Sequence, residues 1–294
     1  PKALANGVEL RTHCVVQQVV IEAGHARGIR YRDASGHDVF QPARIVVVAG
    51  NGIGTPRLLL ASGVESPALG KNLMFHGAAY ARGLFAEELD GPVGPVGCAI
   101  YSHEFYETDE RRGFKRGVHL QVARENALLL QATRLDIPWG GPAQQWLREE
   151  FRHSVAVLVC NEDLPEAHNR VTLADHVEAD GLPGVKLEYR ISEHTRRSLE
   201  FGLDRAEEML RAAGAHRTVR IPLAPLTGWH LLGTARMGDD PRTSVADGSG
   251  RVHAVADLIV ADGSLFPTVG AVNPGSTIGA VALKIADDLA RCLA

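Results

Sequence analysis

The chain has 294 residues, room for roughly two domains with a sizeable core. A net charge of −4 with 45% hydrophobic residues fits a globular protein and gives no electrostatic footprint for nucleic acid. No apolar run approaches the roughly 18–20 residues of a membrane span, and no secretory signal is seen, so a soluble protein is expected and its compartment, cytoplasmic or periplasmic, stays open.

The start at Pro1 rather than Met is expected of a piece of a longer chain. Cys14, Cys98, Cys160 and Cys292 are too scattered for a disulfide framework and read as free thiols. The 13 histidines form no HExxH pattern and no Cys/His cluster, so no metal site is expected.

Residues 8 to 48 read as a small meander. Val15-Val16 and Val19-Val20-Ile21 are β-branched runs, and residues 28 to 32 alternate before a turn at Ala34-Ser35-Gly36. Residues 44 to 49 form a continuous β-branched run, predicted to be a strand buried on both faces. Gly50-Asn51-Gly52-Ile53-Gly54 follows as a glycine turn. Thr55 is expected to cap the next helix, with Pro56 in its first position. Strand, glycine turn and helix suit a nucleotide site, because glycines let backbone approach a phosphate or ribityl chain. They suit a plain structural unit equally well, since G-x-G-x-x-G fails at Thr55.

Residues 77 to 150 show no sharp motif. Gly91 to Pro95 reads as a turn, the charges from Glu107 to Arg116 as a solvated loop, and Gln145-Trp146-Leu147 as part of a short helix. Strands are predicted at 154–160, 169–173 and 185–190, the last alternating as a half-solvated antiparallel strand should. Ser192 caps a helix running to about Ala213, with Gly214 as its stop.

The last 67 residues, from 228 to 294, are the most informative. His230 sits in a Trp/Leu/Gly-rich segment with Trp229 beside it. Leu258 to Ala261 is a buried strand that delivers Asp262-Gly263 at its carboxyl end. Asn273-Pro274-Gly275-Ser276-Thr277 opens a helix whose apolar positions Ile278, Val281, Ala282, Ile285 and Leu289 recur at helical spacing. A helix start exposes unpaired N–H groups and the positive end of its dipole, and so can hold an anion.

This stretch resembles the carboxyl-terminal signature of the glucose–methanol–choline (GMC) flavoprotein oxidoreductases. The matching pieces are His230-x-x-Gly233-Thr234, Met237-Gly238, Val260-Ala261-Asp262-Gly263-Ser264 and Asn273-Pro274-x-x-Thr277-Ile278. Ala49-Gly50 through Thr55-Pro56 resembles a second signature of the family, and Gly70-Lys71-Asn72-Leu73-Met74-Phe75-His76 also matches. The look is nearest to the sugar and polyol dehydrogenases.

The resemblance implies an α/β fold: part of a Rossmann-like FAD domain from 1–76 and 226–294, and an antiparallel-sheet substrate domain from 77–225. It implies FAD as cofactor and a CH–OH substrate such as an alcohol, sugar or polyol. A hydride passes from the carbinol carbon to flavin N5. His230 acts as base and Asn273 as the second active-site residue. Val16, Ala49, Gly50, Gly54, Thr55, Asp262, Gly263, Pro274 and Thr277 are implied as cofactor contacts, and Trp229 as a pocket wall. His76 reads as a structural histidine.

The electron acceptor, whether quinone, cytochrome or oxygen, is not indicated. The family's opening G-x-G-x-x-G segment is not among these residues. The FAD site is therefore expected to need an upstream segment or a partner chain. The alternative is a non-catalytic remnant or subunit.

Overall fold

The computed structural model describes residues 1–89, 98–123, 137–223 and 228–293, with the side chains of Cys98 and Ala99 outside that description. The turn expected at Gly91–Pro95 lies outside the described residues.

After a single helical turn, α1 (Lys2–Ala5), the chain forms the meander. β1 (Val15–Glu22), β2 (His25–Arg32) and β3 (Asp38–Pro42) build a three-stranded antiparallel sheet. β4 (Val46–Val48) pairs in parallel with β14 (Leu258–Val260), register Val46 to Leu258. This pair is the only partnership β4 makes among the described strands. Burial on both faces was expected of β4 and is not found: Val46 and Val48 are buried, but Val47 is 49% exposed. One face packs on the core of Leu59, Leu258 and Ile285, and the other borders an open cleft.

Helix α2 (Asn51–Ala61) also differs from expectation. It starts at Asn51, not after Thr55, and Pro56 lies inside it. A proline at this position cannot donate to the carbonyl four residues back. That carbonyl belongs to Gly52, and it accepts instead from the Thr234 hydroxyl at 2.8 Å. A side chain distant in sequence thus replaces the missing backbone bond, which the local sequence could not reveal.

The second layer is a five-stranded antiparallel sheet in the order β12-β6-β9-β8-β7. Its strands are β6 (Ala78–Leu84), β7 (Cys98–Ser102), β8 (Val118–Ala123), β9 (Ser154–Asn161) and β12 (Arg217–Ile221). Strand alternation gives it two distinct faces. On one, Ala79, Ala81, Val118, Leu120, Val157 and Val159 pack against Leu199, Leu203, Ala206 and Leu210.

Those partners lie on α4 (Glu193–Ala212), whose N-cap Ser192 accepts from the Thr195 N–H. Gly202 lets the helix approach closely, since a Cβ there would lie 2.3 Å from Val159. The other face carries Tyr80, Leu158, His119 and Gln121. It also carries Arg82, only 1% exposed, which is satisfied by Glu150 and Ser154 and stacks over Trp146 of α3 (Gly141–Glu149).

Three further elements complete the described fold. The hairpin of β10 (Arg170–Val177) and β11 (Pro183–Glu188) is tied to α2 by a bidentate Arg57–Asp180 pair at 2.7 and 3.1 Å. β5 (Met74–His76) pairs with β13 (Trp229–Leu232). α5 (Gly275–Leu293) lays Val281, Ile285 and Leu289 on the β4–β14 core.

Candidate active site

The site is organised by the β5–β13 pair. Trp229 faces His76 and Leu232 faces Met74, so β13 takes three steps where β5 takes two. The extra residue makes a bulge, and bulges re-aim side chains. His230 absorbs it with φ 59°, a left-handed conformation uncommon outside glycine. The result is a half-buried imidazole turned onto a second one. His230 Nδ1 lies 2.7 Å from His76 Nδ1, with the rings edge to face at 79°. His76 is 1% exposed, and its Nε2 contacts the Gly270 carbonyl.

Burial lowers the pKa of His230 below that of an ordinary histidine. It pushes His76 further, to about 4, against the opposing pull of the Gly270 carbonyl and with help from His230 and His119. Both rings are therefore neutral near pH 7.

The wall opposite comes from β8. Gln121 donates to Asn273 Oδ1 at 2.5 Å and lies 3.3 Å from His119 Nδ1. Because the Asn273 oxygen is engaged, its amide nitrogen is left to donate. His119 stacks on His103 with centroids 4.5 Å apart, and its buried Nε2 has no hydrogen-bond partner among the described residues. Burial, with His103 beside it, lowers His119 to about 4. Trp229 flanks the pair and is 36% exposed, so it stands at the rim rather than in the core.

Four of the expected cofactor contacts converge. Val16, Ala49, Gly50 and Gly54 line one cleft of about 480 Å³, together with Ile29, Val47, Arg57 and Leu182. Nothing lies within 4 Å of where a Cβ on Gly54 would stand, so a side chain there would occupy the cleft. The cleft runs past the carboxyl end of β4, where open α/β sheets hold ligands.

Thr55 and Asp262 sit beside the cleft and are committed to each other. Thr55 Oγ1 donates to Asp262 Oδ2 at 2.5 Å and accepts from the Gly50 N–H at 2.9 Å. The same carboxylate accepts from Asn51 N at 3.0 Å and from Ser264 N at 2.7 Å. Asn51 Oδ1 takes the N–H groups of Ile53 and Gly54.

The start of α2 therefore has most of its donors engaged within the chain. It offers a cofactor surface and room rather than an anion cradle. α5 differs: Gly275, Ser276 and Thr277 are exposed in its first turn, where an α-helix leaves N–H groups unpaired. Pro274 is buried and accepts from the Ile278 N–H at 2.8 Å, while Gly263 packs tightly against Leu232 and Ile278. The apolar cleft and the open helix end suit an elongated cofactor with both an aromatic and an anionic part.

The sequence reading did not single out His119 and Gln121; it read His76 as structural, and both His76 nitrogens have partners. A signal for the first two was present: Val118-His119-Leu120-Gln121-Val122 alternates strictly, and a strand whose polar face carries His and Gln faces something polar. His76 gave no such signal, because its partner His230 is 154 residues away.

Comparison with known proteins agrees with this geometry. Residues 1–78 match the amino-terminal domain and residues 165–282 the carboxyl-terminal domain described as GMC oxidoreductase. The chain belongs to the GMC oxidoreductase family. It is 39% identical over 310 aligned positions to a 2-methyl-1,2-propanediol dehydrogenase of Mycolicibacterium austroafricanum, covering 99% of this chain and 56% of that protein.

The large subunit of a fructose dehydrogenase from Gluconobacter japonicus is 27% identical, covering 83% of this chain and 47% of that one. A formate oxidase from Aspergillus oryzae RIB40, studied for its FAD modification, shares the fold. Its TM-score is 0.63 at 19% identity, over 93% of this chain and 59% of that one. The chain spans about half the length of the curated relatives it matches. Family membership supports FAD as the cofactor.

Proposed function

We propose that the chain forms the alcohol-oxidising portion of an FAD-dependent oxidoreductase acting on the CH–OH group of an alcohol, sugar or polyol. One observation carries the reading: a neutral, half-buried His230 is held by His76 on a bulged strand, and His76 lies within electrostatic reach of His119, whose neighbour Gln121 holds the Asn273 amide. The dehydrogenases of a propanediol and of fructose among its relatives support this substrate class.

Alcohol oxidation needs a base for the hydroxyl proton, a donor that fixes the oxygen, and an acceptor for two electrons. His230 takes the proton. Its lowered pKa keeps it unprotonated near pH 7, as a base must be. The Asn273 amide donates to the substrate oxygen. The face bearing His119 and Gln121 forms the pocket wall and excludes water. FAD, when bound, supplies the acceptor for the hydride leaving the carbinol carbon.

Val16, Ala49, Gly50 and Gly54 would hold the adenine side of the cofactor, and Asp262 and Gly263 the ribityl–pyrophosphate part. The α5 start at Pro274 to Thr277 would meet its pyrimidine edge, where the helix dipole favours negative charge. A second reading has its own support. Val47 stands half exposed over the cleft, and on this reading further polypeptide from the same or a partner chain covers it and completes the cofactor site.

The test has two parts. The 294-residue chain is titrated with FAD, following flavin fluorescence and absorbance. Saturable binding favours a site built within this chain, and its absence from a folded chain favours the second reading. In the complete enzyme, His230→Ala is expected to lower kcat for a diol by about 10²- to 10⁴-fold, the usual contribution of a general base. An unchanged rate would sink the base assignment.

A further inference from the structure

Resting on the reading of His230 as base, the question is which of its nitrogens carries the lone pair. The answer follows from the far end of the hydrogen-bonded chain. The Gly270 carbonyl can only accept, so the nitrogen against it, His76 Nε2, must carry a proton. A neutral imidazole has one N–H, so His76 Nδ1 is then a bare acceptor. His76 stays neutral, because burial holds its pKa at about 4. The 2.7 Å contact between the two Nδ1 atoms consequently needs its proton from His230. Neutral His230 is left with its lone pair on Nε2.

We propose that His76 is a positioning residue that locks His230 in the Nδ1–H tautomer and leaves Nε2 as its one proton acceptor. The opposite tautomer of His230 would set two lone pairs against each other at 2.7 Å in a buried place. His76 cannot relieve that by switching its own tautomer, since it would turn a lone pair onto the Gly270 oxygen. The lock therefore has a fixed end, a main-chain carbonyl that no titration alters.

The reaction step balances simply. The substrate O–H bond breaks, its proton joins His230 Nε2, and the imidazolium keeps donating from Nδ1 to His76. No proton moves onto His76. The bulge contributes the aim, because the left-handed backbone at His230 is what turns Nδ1 toward β5.

The decisive experiment reads tautomers directly. The 294-residue chain, labelled with ¹⁵N at histidine, is examined near neutral pH by two-bond ¹H–¹⁵N correlation, with His230 assigned from its loss in His230→Ala. The expected spectrum has a protonated Nδ1 and an unprotonated Nε2 at His230, and His76→Phe moves the proton to Nε2. A wild-type His230 protonated at Nε2, or a tautomer untouched by His76→Phe, overturns the proposal. If His76→Phe does not fold, the wild-type spectrum alone decides.

Turnover in the complete enzyme adds a second arm. His76→Asn keeps an acceptor near the Nδ1 position and loses the Gly270 contact, whereas His76→Gln keeps the contact. His76→Phe is expected to lower kcat by about a hundredfold with KM little changed, and His76→Asn to retain more activity than His76→Gln. The reverse order marks His76 as mere scaffolding. The two readings fail separately. Turnover retained in His230→Ala removes the base assignment and leaves the tautomer result standing, while an Nε2-protonated His230 removes only the lock.

Discussion

The five-stranded sheet and the β4–β14 pair are finished to different degrees. The five-stranded sheet is covered at its centre: all seven residues of β6 are buried, with α4 on one face and the candidate site on the other. The β4–β14 pair has a core on one face only, and Val47 lies open to the cleft. The covered sheet can hold His119 and Gln121 rigidly, because its side chains have no room to relax. The open pair offers a surface that a flat aromatic cofactor can cover. On the proposed reading, the rigid side serves to orient a substrate and the exposed apolar side to receive a cofactor.

Three measurements would break or sharpen that contrast. Leu203 is fully buried between α4 and the sheet, so Leu203→Ala should cost about 2–5 kcal/mol in chemical denaturation. A cost below about 1 kcal/mol would mean that the covered sheet is looser than its packing indicates.

Acid should act on the seam. His76 has a folded pKa of about 4, below its unfolded value of 6.5, so the unfolded chain takes up its proton first as pH falls. Its contribution is fully present above about pH 6.5 and is lost from there down to about pH 4, on the order of 3 kcal/mol. His230 is shifted the same way by burial, so His76→Asn should remove part of this acid sensitivity and leave the rest. Denaturation midpoints for both proteins across that range would show it, and parallel profiles would contradict it.

The smallest effect is expected at Val47. Val47→Thr should leave stability within about 0.5 kcal/mol of the parent, since that side chain is half exposed. It should weaken FAD binding if the cleft is the cofactor surface. A large stability loss would show that β4 depends on burial at both faces after all.

Much of the covered half was legible in the sequence. Ser192 and Gly214 bracket α4 as cap and stop, and the apolar run at 154–160 is β9. β6 was not legible. Ala78-Ala79-Tyr80-Ala81-Arg82-Gly83-Leu84 has no β-branched residue, and it becomes a strand because β9 and β12 pair with it on either side. Its Arg82 argues for solvent in isolation, yet it is buried because Glu150, Ser154 and Trp146 surround it.

β4 errs the other way. A run of valines predicts deep burial, and only tertiary neighbours decide whether it occurs. In the site, His230 and Asn273 were found through a family likeness. Their companions Gln121 and His76 act across 152 and 154 residues, a separation that no local pattern spans.

The proline in α2 leaves a mark beyond its own helix. Its missing donor leaves the Gly52 carbonyl needing a partner, and that partner is Thr234, two residues past β13. A slip of β13 by one residue would carry Thr234 away and leave a buried oxygen unpaired, at about 1–3 kcal/mol. The same slip would move His230 off its bulge. The fold therefore proofreads the placement of the His230 ring from the back of a helix, and misthreaded chains are penalised whatever that ring goes on to do.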